Sequence, residues 1–191
     1  MIDANHLDPT DPRSEKILWV DVETTGLVAR EERLLQVAAL VTDVQGNLLS
    51  DEFREVVYQG DAQQLRESAN DVVRNMHDQT GLWNKLGQGL AVDIVDALLL
   101  DFVKEYAPEP RQARLGGNSV ALDMEFAREY LPLTHSHLHY RVIDVSSLAY
   151  ALDSWGVTGG YFEKKKTHDA LDDIRESLEE YKWLQNRVLN R

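Results

Sequence analysis

The amino-acid sequence predicts an α/β protein built on a mixed five-stranded sheet that is flanked by helices. Apolar runs of strand length dominate the first part of the chain, whereas helical spacing of apolar residues dominates the remainder and alternates with two further strand-like runs. Three strands followed by alternating helices and strands are typical of a mixed sheet covered by helices. The 191 residues, of which 43% are hydrophobic, suffice for one domain with a substantial core.

The first three strands are predicted to form a β-meander. Residues 17–22 are apolar and follow a charged segment, and Asp21 and Glu23 stand at the end of this run. Because side chains alternate along a strand, both carboxylates are expected on the same face of the sheet. Leu34–Asp43 and residues 48–58, separated by a Val-Gln-Gly-Asn turn, predict the second and third strands.

Helices and strands then alternate. Residues 71–77 and 80–86 predict two short helices, and residues 91–106 predict a longer amphipathic helix that ends before two prolines. The elements expected after it are, in chain order, a strand over 114–116, a helix over 120–130, a strand over 141–145, a helix over 146–152 and a final amphipathic helix over 169–189.

Composition excludes several classes of protein. No stretch approaches the roughly 18 apolar residues of a membrane span, and the first residues are too polar for a secretory signal. The chain has no cysteine, so any metal must be held by oxygen and imidazole, and we expect a cytoplasmic location. The net charge of −13 disfavours a grip on long nucleic acid and favours a substrate too short to need a long basic track.

Four acidic residues and one histidine form the pattern D-x-E … D … H-x-x-x-x-D. Carboxylate oxygens are the ligands that Mg²⁺ and Mn²⁺ prefer, and two such ions about 4 Å apart can flank a phosphorus atom. A histidine near its usual pKa can take the proton of the attacking water. The pattern therefore predicts cleavage of a phosphodiester by Asp21, Glu23, Asp123, His168 and Asp173.

The final motif leaves two choices open. Asp172 competes with Asp173 for the role of metal ligand, because helical periodicity alone does not decide which of them faces the site. The lysines at 164–166 form either a solvated loop or, since they stand just before His168, an attractor for phosphate.

Three alternate histidines precede an arginine in the next strand-like run. His135, His137 and His139 would share a face of a strand, but no acid or cysteine stands near enough in sequence to favour a transition-metal site, so an exposed turn is expected for the first two. Arg141 in an otherwise apolar strand requires an anion, which is either a protein carboxylate or a terminal phosphate.

These motifs resemble those of the DEDDh 3′→5′ exonucleases, a group that includes proofreading exonucleases and ribonuclease T. The resemblance rests on Asp21-Val-Glu-Thr-Thr-Gly-Leu, on Asp123 and on His168-x-Ala-x-x-Asp173, whose spacing selects Asp173 over Asp172. Further segments over residues 17–187 resemble the oligoribonuclease family: Leu40-Val-Thr-Asp, Gly117-Asn-Ser, His139-Tyr-Arg-Val-Ile-Asp-Val-Ser and the run from Thr167 to Ser177.

The resemblance implies a ribonuclease H-like (DnaQ-like exonuclease) fold, a homodimer and two divalent cations, Mg²⁺ or Mn²⁺, in each site. It implies removal of 5′-mononucleotides from the 3′ end of very short RNAs, above all dinucleotides. Asp21, Glu23 and Asp173 would hold one metal, Asp21 and Asp123 the second, and His168 would be the base. A polar extension over 1–14 would precede a single exonuclease domain over 15–191.

The resemblance also implies a set of substrate-binding residues. A side chain after the first acidic motif would wedge against a base, and serines and an arginine would hold the 5′ phosphate, with a histidine or tyrosine from the partner subunit. The residues that match are Leu27, His77, Asn118, Ser119, His139, Tyr140, Arg141 and Ser146.

Departures from the family pattern leave a second activity open. Thr24 stands where many oligoribonucleases have methionine, and Val72 stands where many have an aromatic wedge. The segment 149–162 also differs from the usual arginine-rich stretch. Trimming or proofreading of longer single-stranded DNA or RNA is therefore the alternative function, whereas the intact acidic set disfavours an inactive nucleotide-binding module.

Overall fold

A computed structural model describes residues 14–163 and 170–190 of the chain. Within them, five strands form one sheet in the order β3-β2-β1-β4-β5. β1 pairs antiparallel with β2, and β2 with β3, whereas the β1–β4 and β4–β5 pairs are parallel, so the predicted mixed five-stranded sheet is confirmed. The strands are β1 (Lys16–Thr24), β2 (Leu34–Asp43), β3 (Phe53–Val56), β4 (Ala113–Gly117) and β5 (His139–Asp144).

Helices cover both faces of the sheet. Leu18 and Val20 of β1 point into a core shared with the third and fourth helices, whereas Ile17 and Trp19 point into a core shared with the last two. Burial on both faces explains why β1 and β2 are almost continuously apolar. The helices are α1 (Ala62–Ser68), α2 (Asp71–Thr80), α3 (Val92–Tyr106), α4 (Ala121–Tyr130), α5 (Pro132–His137), α6 (Val145–Ser154) and α7 (Ala170–Leu189).

Helix α5 was not predicted, because its first residue is a proline that seemed only to end α4. Proline is tolerated at the first position of a helix, and the buried Asp96 of α3 accepts hydrogen bonds from the backbone N–H groups of Leu133 (2.8 Å) and Thr134 (2.9 Å). The expectation of an exposed turn was therefore wrong for His137, which is buried and whose Nε2 lies 2.8 Å from the Ala107 carbonyl oxygen.

Two other expectations about elements were only partly correct. The third strand is confined to Phe53–Val56, and Leu48 forms only an isolated bridge with Thr42. The second short helix is replaced by two 3₁₀ turns, at Leu82–Asn84 and Leu86–Gln88.

Some predictions concern residues outside the described ranges. The extension over 1–14 falls there except for Ser14, as do the lysines at 164–166 and His168. In the ranges that are described, no helix is both long and apolar enough to cross a membrane. The division into an extension and one domain, and the cytoplasmic location, remain predictions.

Candidate active site

The candidate site lies where β1 and β4 separate. Their parallel ladder pairs Lys16 with Ala113 and ends where Trp19 meets Gly116, but β1 continues to Thr24. The last part of β1 therefore has β2 on one side and a groove on the other, at the carboxyl ends of two parallel strands. Ligands commonly bind at this position in sheets that contain parallel strands.

Asp21 of β1 and Asp173 of α7 both border this groove. Both line a cavity of about 200 Å³, together with Trp19, Asn118 and Ser177, among other residues. Asp21 shares a face of β1 with Trp19, whose indole packs in the core beneath α7. The strand and the helix therefore bring together two acids that are about 150 residues apart in sequence.

Asp172 points away from this cavity. Its carboxylate lies 2.9 Å from Nη1 of Arg175 on the exposed surface of α7, and Arg175 also pairs with Glu52. Of these two neighbouring acids, Asp173 lines the cavity, and the choice of Asp173 over Asp172 as a metal ligand stays a prediction.

Asp123 approaches β1 from the first turn of α4. Its side chain is buried, and Oδ1 accepts a hydrogen bond of 3.2 Å from the backbone N–H of Val22, the residue between Asp21 and Glu23. Burial raises the pKa of Asp123 to about 7, although the N–H groups of Val22 and of Asp123 itself lower it in part. A cation would stabilise the ionised form of this carboxyl group.

Glu23 lies against a wholly buried histidine. The Nε2 atom of His77 lies 2.8 Å from the carbonyl oxygen of Thr24, and Nδ1 lies 3.7 Å from Oε2 of Glu23 without a hydrogen bond. Burial lowers the pKa of His77, which favours the neutral ring with its proton on Nε2. His77 has 0% of its surface exposed and contacts Glu23 and Thr24 inside the protein, so it offers no surface to a substrate in this conformation.

The loop after β1 presents Leu27 to solvent. Thr25 holds the loop closed, because its hydroxyl donates to Glu32 (2.5 Å) and accepts from the backbone N–H of Arg33 (2.8 Å). A Cβ atom at Gly26 would lie 2.4 Å from Oε1 of Glu32, so a larger residue here would force the Glu32 carboxylate to move away from Thr25. Leu27 is 74% exposed, and its role as a wedge against a base stays a prediction.

The two serines expected in a phosphate pocket lie together. Oγ of Ser119 is 3.3 Å from Oγ of Ser146. Asp144 caps α6 by accepting from the N–H of Ser146 (3.0 Å) and also accepts from the N–H of Ser119 (3.2 Å), which has a φ of 55°. The same carboxylate therefore fixes the backbone of both serines.

Edge strand β5 exposes the other residues expected to bind phosphate. Arg141 places its guanidinium carbon 5.2 Å from the centre of the Tyr140 ring, in a cation–π contact. His139 Nδ1 lies 2.9 Å from the backbone N–H of Arg141 and 3.1 Å from Nη1 of Arg114. Tyr140 is 71% exposed, which leaves its hydroxyl accessible to a ligand or a second chain.

The motifs did not reveal every residue at the cavity. Glu176 and Ser177 line it, and Asn118 also bonds to the buried Glu180. The helical period carried from Asp173 through 177 to 180 could have indicated this face of α7.

The donor set fits hard divalent cations. Within residues 14–163 and 170–190, no three acidic or histidine side chains converge closely enough to hold a metal. Carboxylates repel one another when no cation is bound, and the donors available at this end of β1 are oxygens, which suit Mg²⁺ and Mn²⁺. Asp21, Glu23, Asp123 and Asp173 belong to elements that meet at this end of β1.

Comparison with sequences of known proteins gives strong similarity over most of the chain. A family described as Exonuclease matches residues 18–181. Oligoribonuclease of Streptomyces avermitilis is 36% identical over 178 residues, covering 92% of this chain and 88% of that protein. Oligoribonuclease of Francisella tularensis subsp. novicida is 32% identical over 178 residues, covering 93% and 98% of the two chains.

Comparison with solved structures identifies the fold. The Escherichia coli exonuclease I–ssDNA complex superposes with a TM-score of 0.66 at 18% identity, over 91% of this chain and 41% of that one. Exonuclease I of Methylocaldum szegediense gives a TM-score of 0.67 at 15% identity, over 93% and 41%. This chain thus spans about two-fifths of the exonuclease I chains, and the predicted ribonuclease H-like fold is confirmed.

The raised pKa of Asp123 predicts that the metal-free protein loses stability as the pH rises. Aspartate in an unfolded chain titrates near pH 4. Between about pH 4 and pH 7 the folded state therefore holds a proton that the unfolded state has lost, so the free energy of unfolding falls with pH in that window and levels off above it. The total fall is on the order of 4 kcal/mol.

Urea unfolding in EDTA at pH 5 and pH 8 measures this effect. Asp123→Asn keeps an acceptor for the Val22 N–H and removes the titration, so its stability should change less between the two pH values than that of the wild type. Equal pH dependence in the two proteins would contradict the assignment to Asp123.

Proposed function

Because the chain belongs to the oligoribonuclease family and is therefore a 3′→5′ exonuclease, we propose that it degrades very short RNAs, above all dinucleotides, to 5′-mononucleotides. The cavity shared by Asp21 and Asp173 at the carboxyl end of β1 is the observation that carries this proposal. The family match over residues 18–181 includes both of these acids.

The exonuclease family is dependent on divalent metals, and the acidic residues of this chain would hold them. Asp21, Glu23 and Asp173 would bind one ion, and Asp21 with Asp123 a second. Divalent cations in such a site stabilise the charge that develops on the scissile phosphate. The buried Asp123 would have to release its proton when it becomes a ligand, so binding would be tighter at higher pH.

His168 would act as the general base of the reaction. It precedes α7 by two residues, and α7 carries Asp173. A histidine next to the acidic cluster would take the proton of the attacking water, and its charged form would be stabilised by those carboxylates.

The opposite end of a dinucleotide would be held by its 5′ phosphate. Ser119 and Ser146 supply neighbouring hydroxyl groups, and Arg141 supplies an exposed guanidinium near the same end of the sheet. Leu27 would pack against a base, and Asn118 would belong to the surrounding wall, whereas the buried His77 would support Glu23 from inside the protein. Such a pocket would select short substrates, because one molecule would have to place its 5′ phosphate in this pocket and its scissile phosphate at the acidic residues at the same time.

A second copy of the chain would complete this pocket. β5 is an edge strand, and its residues His139, Tyr140 and Arg141 are partly or largely exposed. We propose a homodimer in which His139 or Tyr140 of one protomer contacts the substrate of its partner. An edge strand with exposed aromatic and cationic side chains suits such a contact.

The proposed substrate predicts that catalytic efficiency falls as RNA grows from two to seven nucleotides. A surface with a net charge of −13 repels added phosphates that gain no new contact. Arg141→Ala should reduce kcat/KM for a 5′-phosphorylated dinucleotide by about 10- to 100-fold and leave the unphosphorylated one little changed.

Turnover of labelled RNA and DNA of two to ten nucleotides measures both effects. Arg187→Ala is the matched control, because Arg187 is also exposed and stacks on an aromatic ring, that of Trp183 at 5.0 Å. Equal efficiency on ten-nucleotide RNA or DNA would instead identify a general trimming exonuclease.

The assignment of the last metal ligand predicts opposite outcomes at neighbouring positions. Asp173→Ala should abolish hydrolysis and weaken Mn²⁺ binding, since Asp173 lines the cavity. Asp172→Ala should retain most activity because the carboxylate that it removes pairs with Arg175 on the surface of α7. Calorimetric Mn²⁺ titration and dinucleotide turnover measure both variants, and an inactive Asp172→Ala beside an active Asp173→Ala would reverse the assignment.

The proposed dimer predicts a solution mass of about twice the 21.8 kDa of one chain. Light scattering gives this mass. Asp21→Ala and Tyr140→Ala proteins, each nearly inactive alone, should recover activity when mixed, because a mixed dimer contains one complete site. A monomer with full activity would contradict the proposal.

A further inference from the structure

The side-chain amide of Asn118 forms hydrogen bonds within the protein. Its Nδ2 donates to Oγ of Ser177 at 2.9 Å and to Oε2 of Glu180 at 3.1 Å. Its Oδ1 accepts a hydrogen bond of 2.8 Å from Oγ of Ser146. An amide group has two donor hydrogens and two acceptor lone pairs, so three of its four hydrogen bonds are made within the protein. The carboxylate of Glu180 fixes the orientation, since it accepts only from the nitrogen.

These bonds join three elements that border the site. Asn118 follows β4, Ser146 belongs to the first turn of α6, and Ser177 and Glu180 lie on the inner face of α7. Ser177 and Glu180 are buried, where a hydrogen bond to a charged group is worth more than at the surface.

The connection continues to Asp173. Ser177 accepts from Asn118 and donates its own hydrogen to the backbone carbonyl of Asp173, at 2.9 Å. The chain of bonds therefore runs from the end of β4 to the turn of α7 that carries Asp173. Asn118, Asp173 and Ser177 also line the cavity that contains Asp21.

We propose that Asn118 is a positioning residue, which holds α7 through Ser177 and Glu180 so that Asp173 stays opposite Asp21. This inference rests on the proposed function, in which those two acids hold a metal. Residues that orient a metal ligand without touching the metal commonly change affinity by about 10- to 100-fold when they are replaced.

Mn²⁺ affinity, measured by calorimetry on the purified full chain, tests the proposal without relying on turnover. Asn118→Ala should raise the Kd for Mn²⁺ by about 10- to 100-fold. Glu180→Gln should bind nearly as the wild type does, because the glutamine oxygen still accepts from Asn118. Asn118→Asp should bind weakly, because it faces two carboxylates against each other.

The double variant Asn118→Asp/Glu180→Gln reverses the polarity of the pair. The glutamine nitrogen then donates to the aspartate, and the Kd for Mn²⁺ should fall well below that of Asn118→Asp, as expected when a direct pair interaction is restored. Recovery should be incomplete, because an aspartate cannot donate the hydrogen bond that Ser177 accepts from Asn118. A merely loosened helix would not be repaired by this reversal.

Tyr181→Phe is the control for general loosening of α7. It removes the hydrogen bond of 2.8 Å from the Tyr181 hydroxyl to the carbonyl of Val44, on the same helix but away from Asn118. Its Tm in EDTA should fall while its Kd for Mn²⁺ stays unchanged.

Two results would overturn the inference. One is a folded Asn118→Ala protein that binds Mn²⁺ as tightly as the wild type; the other is a double variant that binds as weakly as Asn118→Asp. If Asn118→Ala does not fold, the comparison of Asn118→Asp with the double variant decides. Wild-type protein that binds Mn²⁺ but does not cut dinucleotides would contradict the proposed function and leave this inference standing.

Discussion

The end of the β1–β4 ladder at Trp19 is the constraint on which the rest of the site depends. If the two strands stayed paired to the end of β1, backbone and side chains of β4 would fill the groove that Asp21 borders. The separation requires other elements to hold the free end of β1, and β2 does so on one side while Asp123 bonds to the Val22 N–H on the other. The groove therefore results from the separation of two strands of the sheet, and residues of α7 form another of its walls.

The same separation explains why ionised carboxylates in the site destabilise the folded protein when no cation is bound. Asp123 is buried beside the backbone of β1, and Glu23 is buried against a neutral histidine. Neither environment solvates a negative charge as water does, and the cost appears as the raised pKa of Asp123. Divalent cations would offset this cost, so folding stability and metal binding are linked through the same carboxyl groups.

The sequence was sufficient for the elements whose signal is local and periodic. β1, β2, α3 and α7 were predicted near their observed limits, because each is long and its apolar spacing is regular. α5 was missed because its stability comes from Asp96, 36 or more residues earlier in the chain, which caps a segment that has no helical pattern of its own. Tertiary contacts of this kind are not reflected in the spacing of apolar residues along the sequence.

The candidate site divides in the same way. Asp21, Asp123 and Asp173 could be named because motif spacing survives in the sequence, and the structure brings Asp21 and Asp173 to one cavity. The burial of His77 behind Glu23 and the use of the Asn118 amide by α7 could not be foreseen, because both depend on how separate elements pack. Both residues looked like substrate contacts in the linear sequence, and both make their bonds inside the protein.

The position of α7 in the chain has a consequence for synthesis on the ribosome. The strands β1 and β2 are adjacent in sequence and can pair as soon as they emerge, but the parallel β1–β4 pair joins residues about 100 positions apart, and Asp173 arrives only with α7. A growing chain therefore carries Asp21 and Glu23 long before it has the helix that completes the groove. Under the proposed function, hydrolysis would begin only once the final helix has been synthesised and packed on the sheet, so a nascent chain would not attack the RNA around it.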